Sequence, residues 1–331
     1  MTILENIVKR AQHAPKKIVL TEGEDPRILQ AAERLSQERV ADVTVLGNDA
    51  IIRAKAAELG LSLADVLIVD PETSTLRKSL GDQLFELRAK KGMTEEKAYE
   101  LAGQPLWFAN LSVKAGHQDG VVSGAVHTTG DVVRAAIQVI GVDKAFKMIS
   151  SFFLMVLDQP HHPKQGSMVF SDCGLVIDPN AEQLAEIASA AANSYQAING
   201  EAANVAMLSF STQGSAAHPD VDKVVEATRL VKAARPELNI DGEVQLDAAV
   251  VPAIAESKIN NSEVAGLANV LVFPSLEAGN IAYKLVERFA GATAIGPLLQ
   301  GLAQPANDLS RGCSADDVYY VAAVTVVQAQ A

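Results

Sequence analysis

Short apolar runs alternate along this chain with longer stretches whose apolar positions recur every three or four residues. The short runs predict strands over 17–21, 42–46, 66–69, 120–123, 152–157, 168–171, 205–209 and 270–273. Most of these are almost continuously apolar, as strands covered on both faces should be. The longer stretches predict helices over 26–39, 50–60, 76–91, 94–102, 181–198, 221–234 and 278–289. Local start signals sharpen several of them. Thr94 stands before Glu95 and Glu96, while Asp178-Pro179 and His218-Pro219-Asp220 each offer a proline for a first helical position. Alternation of this kind defines an α/β chain with parallel-type sheets.

At 331 residues the chain has room for two domains and a sizeable core. Its 48% hydrophobic and 21% charged residues exclude a disordered polypeptide. Two cysteines, Cys173 and Cys313, exclude a disulfide scaffold, and no Cys-x-x-Cys supports a thiolate metal site. The most apolar stretches, 148–157 and 318–327, are too short to cross a bilayer. With Glu5, Lys9 and Arg10 near the start and no secretory apolar core, the expectation is a reduced, cytoplasmic, soluble protein. Net charge is −12, which repels nucleic acid and anionic membrane. A small anionic ligand then requires arginines that converge locally.

Three motifs offer chemistry. Thr21-Glu22-Gly23-Glu24-Asp25-Pro26-Arg27 follows the first strand, where ligands gather in parallel sheets. It also reads as a helix start, with Asp25 as cap and Pro26 at the first position. Ser123-Gly124-Ala125-Val126-His127-Thr128-Thr129-Gly130-Asp131 again joins a strand to a helix, which holds Arg134. Its small residues, hydroxyls and imidazole could hold a phosphate, or Thr129 or Asp131 could simply cap the helix. It lacks the lysine and spacing of a P-loop, and the chain contains no Gly-x-Gly-x-x-Gly. The third motif runs from Asn307 and Asp308 through Ser310, Arg311, Cys313 and Ser314 to Asp317. Ser314-x-x-Asp317 resembles a capping box for the last helix, but a cap does not account for Ser310 and Arg311. His161-His162-Pro163 reads as an exposed turn, and Asp241, Glu243 and Asp247 as a solvated strand edge rather than a metal site.

Taken together, SGAVHTTGDVVRAA at 123–136, DCGLVIDPNAEQLAEIA at 172–188 and MLSFSTQGSAAHPDVDKVVEAT at 207–228 resemble the phosphotransacetylase (phosphate acetyltransferase) family. So do IDGEVQLDAA at 240–249, ANVLVFPSLEAGNIAYKL at 268–285 and IGPLLQGLAQPANDLSRGCSADD at 295–317. The resemblance implies two α/β domains, similar to the isocitrate dehydrogenase-like fold, with an active-site cleft between them. It implies a discontinuous first domain, 1–147 with 298–331, and an inserted second domain, 148–297, through which a homodimer forms. It also implies that the thiol of CoA attacks acetyl phosphate directly, giving acetyl-CoA and phosphate, with no metal or bound cofactor. On this resemblance Ser310, Arg311 and Asp317 are catalytic and Arg27, Arg88 and Arg134 bind substrate; the phosphate-site reading of the second motif adds Ser123, His127, Thr128 and Thr129 as candidate binding residues. Cys313 lies near the site without being required.

The chemistry suits these roles. A planar guanidinium can fork onto phosphoryl oxygens or a developing oxyanion. A free thiol titrates near 8.5, so an ordinary carboxylate is mismatched as its base by about 4.6 units, or about 6 kcal/mol. The base must therefore be tuned, or Asp317 must act by orienting Ser310 and the thiol. Longer-chain acyl transfer, such as butyryl transfer, is the nearest alternative, because pocket volume separates acyl groups by only about 1–3 kcal/mol per methylene. A non-catalytic acetyl-CoA sensor and a dehydrogenase of related fold are the others.

Overall fold

In a computed structural model of the chain, which describes residues 2–162 and 166–330, the first element is one that periodicity does not reveal. Helix α1 (Ile3–His13) buries only Ile7 and Ala11, a stripe too sparse to register as a pattern. Alternation begins at β1 (Lys17–Leu20), followed by α2 (Pro26–Gln37), β2 (Asp42–Leu46), α3 (Asp49–Leu59) and β3 (Leu67–Val69). Three helices then pack in succession: α4 (Arg77–Arg88), α5 (Glu95–Ala102) and α6 (Pro105–Lys114). Strand β4 (Gly120–Ser123) and α7 (Thr129–Val139) complete this part of the chain.

A second set of elements follows: β5 (Ser150–Leu157), β6 (Gly166–Ser171), α8 (Ala181–Asn199), β7 (Asn204–Leu208), α9 (Pro219–Ala234) and β8 (Asn239–Val244). Next come α10 (Leu246–Val250), α11 (Pro252–Lys258), β9 (Val270–Val272), α12 (Leu276–Ala290) and β10 (Thr293–Gln300). The chain ends with β11 (Ala306–Asp308) and α13 (Ala315–Gln328). Contacts divide it into two compact units, one of Ile3–Lys144 with Leu302–Ala331, the other of Ala145–Gly301.

In the first unit five parallel strands lie in the order β11-β4-β1-β2-β3. Its core includes Val19, Leu46, Leu84, Phe108, Leu111, Val121 and Val139. Helix α13 is apolar almost all round and accordingly buried, packing on α1, α2, β1, β4 and β11. Asn307 donates from Nδ2 to Thr325 Oγ1 at 2.8 Å and to Gln328 Oε1 at 2.7 Å, which ties β11 to that helix.

The second unit holds a six-stranded sheet ordered β10-β5-β6-β9-β7-β8 around a core that includes Phe153, Met155, Phe170 and Leu271. Its β6, β9, β7 and β8 are parallel, whereas β10/β5 and β5/β6 pair antiparallel. Strand β10 was not expected from its sequence, because Gly296-Pro297 interrupts it. The register shifts between Ile295 and Leu298, and the strand lies at an edge, where a proline is tolerated.

Several local readings change. Asn180, not Asp178, caps α8 through a capping box with Gln183, and Pro179 precedes the cap. The cap of α7 is Thr128 rather than Thr129 or Asp131. His162 is buried instead of lying in an exposed turn; it and His161 each donate from Nε2 to the Ala290 carbonyl, at 2.8 and 2.7 Å. Pro163 lies outside the described residues. Asp241 and Glu243 sit on edge strand β8 but are buried, not solvated. Asp241 accepts from Ser262 Oγ and the N–H groups of Glu263 and Val264; Glu243 accepts from Ser211 Oγ and Gly214 N–H. Asp247 is exposed and ion-paired with Lys258 at 2.7 Å.

Candidate active site

In the first unit three adjacent parallel strands, β11, β4 and β1, end side by side, and the loops leaving them carry all three sequence motifs. Strands β2 and β3 lie on one side of β1, whereas β4 and β11 lie on the other. The loops after β1 and β4 therefore part at a switch of direction, where α/β sheets open a crevice for ligands. Gly124 lets the β4 loop lie on the end of β11. It has φ 111°, and a Cβ there would come within 2.2 Å of Asp308 Oδ1 and 2.7 Å of the Leu309 backbone.

Arg27 ties these loops together. It stands at the start of α2, where Asp25 accepts its backbone N–H as the cap and Pro26 begins the helix. Its Nε and Nη2 donate to Asp25 at 2.9 and 2.7 Å, and Nη2 also reaches the Ala125 carbonyl at 2.8 Å. Nη1 donates to the carbonyls of Arg311 at 2.8 Å and Cys313 at 3.0 Å. The bonds to Asp25 raise the pKa of the guanidinium further and lower that of Asp25. All five N–H groups thus have protein acceptors, and the residue is a clamp on the β1, β4 and β11 loops.

The backbone of the β4 loop is likewise engaged. Consecutive N–H groups of Gly124, Ala125, Val126 and His127 donate to the buried Glu22 carboxylate at 3.0–3.1 Å. Such a row is an anion cradle, and here a side chain of the protein fills it. His127 adds a bond from Nδ1 at 2.8 Å. Burial alone would raise the Glu22 pKa, but the bonds from His127 and the backbone outweigh it and hold the group below its ordinary value. The same bond raises the pKa of His127. Thr128 Oγ1 exchanges bonds with Asp131, and Thr129 Oγ1 donates to Asp308 Oδ2 at 2.6 Å. Ser123 Oγ is buried without a partner among the described residues. Of the polar side chains expected to face a ligand here, His127 is partly exposed as a side chain, and its Nε2 has no partner among the described residues.

Glu22 and Asp308 lie within the sequence motifs, which assign neither a role. Asp308 is fully buried, and its Oδ1 has no partner among the described residues. Burial pushes its carboxyl up to about 7, against the pull of the Thr129 bond. The sequence signal available for both was their position just at or after a strand's carboxyl end. Their partners lie too far along the chain to be read from it.

The β11 loop presents the other expected residues. Ser310 and Arg311 are exposed, and the Arg311 guanidinium has no partner among the described residues. Ser310 Oγ accepts the Gly312 N–H at 3.3 Å. Ser314 and Asp317 form the capping box of α13: Asp317 Oδ2 accepts from Ser314 N and Oγ at 2.8 and 2.9 Å, and Asp317 N–H donates to Ser314 Oγ at 3.2 Å. Cys313 is buried, and desolvation pushes its thiol up to about 11, so it is protonated at neutral pH. Arg134 pairs on α7 with Asp131 at 2.7 Å. Arg88 ends α4, which packs on α7, and its Nε is buried without a partner among the described residues.

A cavity of about 830 Å³ in the second unit also adjoins strand ends, those of β7 and β9. Asp178, Asp220 and Glu277 line it against a single lysine, Lys223, itself paired with Asp178 at 2.9 Å. That balance disfavours an anionic ligand. Among the described residues no group of three or more His, Cys, Asp or Glu is placed to hold a metal ion.

The segment leaving β11, with Ser310 and Arg311 on its loop and Asp317 in the first turn of α13, agrees with a profile match that covers nearly the whole chain. The phosphate acetyl/butaryl transferase family matches residues 2–326, and the chain belongs to that family of acyltransferases. A phosphate acetyltransferase of Clostridium acetobutylicum is 46% identical over 330 residues, covering 100% of this chain and 99% of that protein. One of Thermoanaerobacterium thermosaccharolyticum is 48% identical over 330 residues, covering all of both chains. The crystal structure of a phosphotransacetylase from Streptococcus pyogenes superposes with a TM-score of 0.93 at 40% identity, covering 99% of this chain and 98% of that one.

Proposed function

We propose that this protein is a phosphate acetyltransferase, which moves acetyl reversibly between acetyl phosphate and the thiol of coenzyme A. In the synthetic direction the sulfur–acyl bond forms as the acyl–phosphate bond breaks. The thiol proton passes to a base, and inorganic phosphate leaves. The observation that carries this reading is the exposed Arg311 guanidinium, unpaired among the described residues, on a loop whose backbone Arg27 clamps to its neighbours. A forked donor on a rigid mount suits the oxygens of an acyl phosphate and the oxyanion that develops from it. Arg134 and Arg88 are read as further anion contacts, with Ser310 positioning the thiol and Asp317 taking or orienting its proton. Arg27 serves that site by holding the Arg311 loop. Coenzyme A is a substrate here, not a resident cofactor.

Direct attack needs both substrates bound together, whereas a cysteine nucleophile would give an acetyl-enzyme and parallel rate patterns. The high thiol pKa of Cys313 supports the direct route. We further read the protein as a cytoplasmic homodimer. On α12 the side chains of Ile281, Leu285 and Phe289 form one exposed apolar stripe, with Phe289 86% accessible. Glu277 near its start and Arg288 near its end would face each other's partners if two copies paired antiparallel.

The test is phosphate-dependent release of CoA from acetyl-CoA by the purified protein. Turnover with acetyl phosphate above that with propionyl or butyryl phosphate is expected, with intersecting initial-rate lines and an active Cys313→Ala variant. Arg311→Lys should keep the charge but lose most of kcat. Binding of acetyl-CoA without CoA release would make the protein a sensor, and a butyryl preference would change its substrate.

A further inference from the structure

We infer that Glu22 is a positioning residue for this site: seated on the four backbone N–H groups of 124–127, it holds the His127 ring by Nδ1, so that Nε2–H is presented to an oxygen of the phosphate-bearing substrate. The inference rests on the function proposed above and adds a residue pair to it. Glu22 is almost wholly enclosed, with its side chain 4% exposed, while the His127 side chain is 34% exposed. Nδ1 therefore faces inward and the other ring nitrogen outward. A carboxylate that accepts from Nδ1–H fixes both the tautomer and the direction of the ring. His127 lines a cavity of about 390 Å³ together with Leu46, Pro105 and Val126 and with the carboxylates of Glu22, Glu24 and Asp25. Of these three, Glu22 is engaged by the loop N–H groups and His127, and Asp25 by the Arg27 guanidinium, which leaves Glu24 as the one carboxylate there not so engaged.

The cradle itself is closed to a ligand, because Glu22 fills it. The Thr128 and Thr129 hydroxyls already donate to Asp131 and Asp308, and Ser123 is buried. The loop's own contribution to an anion then falls to the imidazole. Five other groups share this neighbourhood: Asp131 acts on His127, while Arg27, Cys313 and Asp308 feel the charge of Glu22, and Arg134 pairs with Asp131. The bond to Glu22 favours the imidazolium, which is the form that donates to an anion.

A mere loop tie and a positioning pair differ in what they couple. The experiment compares Glu22→Gln, His127→Ala and the double variant by separate KM values for acetyl phosphate and CoA. Each single change should raise KM for acetyl phosphate about 10-fold, the worth of one charge-assisted bond, with KM for CoA within about twofold. The double variant should be little worse than the poorer single, since Glu22 acts through the ring. Additive effects, or equal rises in both KM values, would overturn the inference. A measurement independent of turnover uses the wild-type protein with 15N-labelled histidine. Inorganic phosphate should shift the His127 Nε2 resonance, assigned by its loss in His127→Ala, while Nδ1 stays protonated. Absence of that shift also overturns it, even if Glu22→Gln does not fold. A wild-type protein without CoA release would refute the proposed function, and the phosphate titration would still decide the pair.

Discussion

Each N–H group of the Arg27 guanidinium has an acceptor in the protein, and the acceptors belong to three different loops. A lysine could reach one or two of them and could not hold the planar arrangement. Arg27→Lys should lower unfolding free energy by about 2 kcal/mol, read from urea titration, because the Ala125 and Cys313 carbonyls, both partly buried, lose donors. An unchanged midpoint would show that the loops hold together without the clamp. Asp308 makes a prediction with the opposite pH sense from most carboxylates. Its pKa rises from 3.8 to about 7 on burial, so the folded protein favours the protonated form. Its stabilising contribution is complete below about 3.8 and is lost as pH rises toward about 7. Asp308→Asn should flatten the decline of Tm across that interval, and an unaltered slope would exclude Asp308 as its source.

Helix α13 does two jobs at once, filling the core and setting the loop that precedes it. Tyr319 donates its hydroxyl to Glu38, and the Arg34 guanidinium lies 3.7 Å over the Tyr319 ring while reaching Asp316 at 2.9 Å. These contacts fix the start of α13 against α2, and with it the segment that bears Ser310 and Arg311. The capping box at this helix start was legible because its partners are three residues apart; the Asp25 cap, with its partner two residues on, was legible in the same local way, and Thr94 and Pro219 marked the starts of α5 and α9. Two changes separate capping from chemistry. Ser314→Ala should cost about 1 kcal/mol of stability and little activity. Asp317→Asn keeps an acceptor for the cap, so Tm should barely move, whereas kcat should fall by about 10²–10⁴-fold if the carboxylate handles the thiol proton. A stable, fully active Asp317→Asn would leave Asp317 with the cap alone.

At the scale of the whole molecule, a net charge of −12 keeps copies apart at long range, so association depends on apolar area that short-range contact can bury. The α12 stripe supplies such an area in Ile281, Leu285 and Phe289. If the proposed dimer forms through this stripe, Phe289→Glu should give a monomer by light scattering while leaving the unit's own core intact, since the ring is exposed in the single chain. A variant that still ran as a dimer would move the interface elsewhere. No helix among the described residues is long and apolar enough to cross a membrane.

By itself the sequence determined the α/β class, most of the elements and several of the helix caps, because periodicity and capping are local properties of the chain. Strand β8 was legible only as a strand edge at Asp241 and Glu243, and strand β10, with Gly296-Pro297, was not legible, because neither has the apolar run that marks a strand; sheet pairing decided them. Family motifs likewise pointed to Ser310, Arg311 and Asp317 without saying what each would touch. Tertiary structure alone decided that Arg27 donates to carbonyls 284 and 286 residues away, and that Glu22 closes the cradle 102–105 residues further on. It also decided that Asp308 lies out of water. Which oxygen accepts a given N–H, and how far a carboxyl's pKa moves, depend on separations of a few ångströms that arise only when distant strands lie side by side.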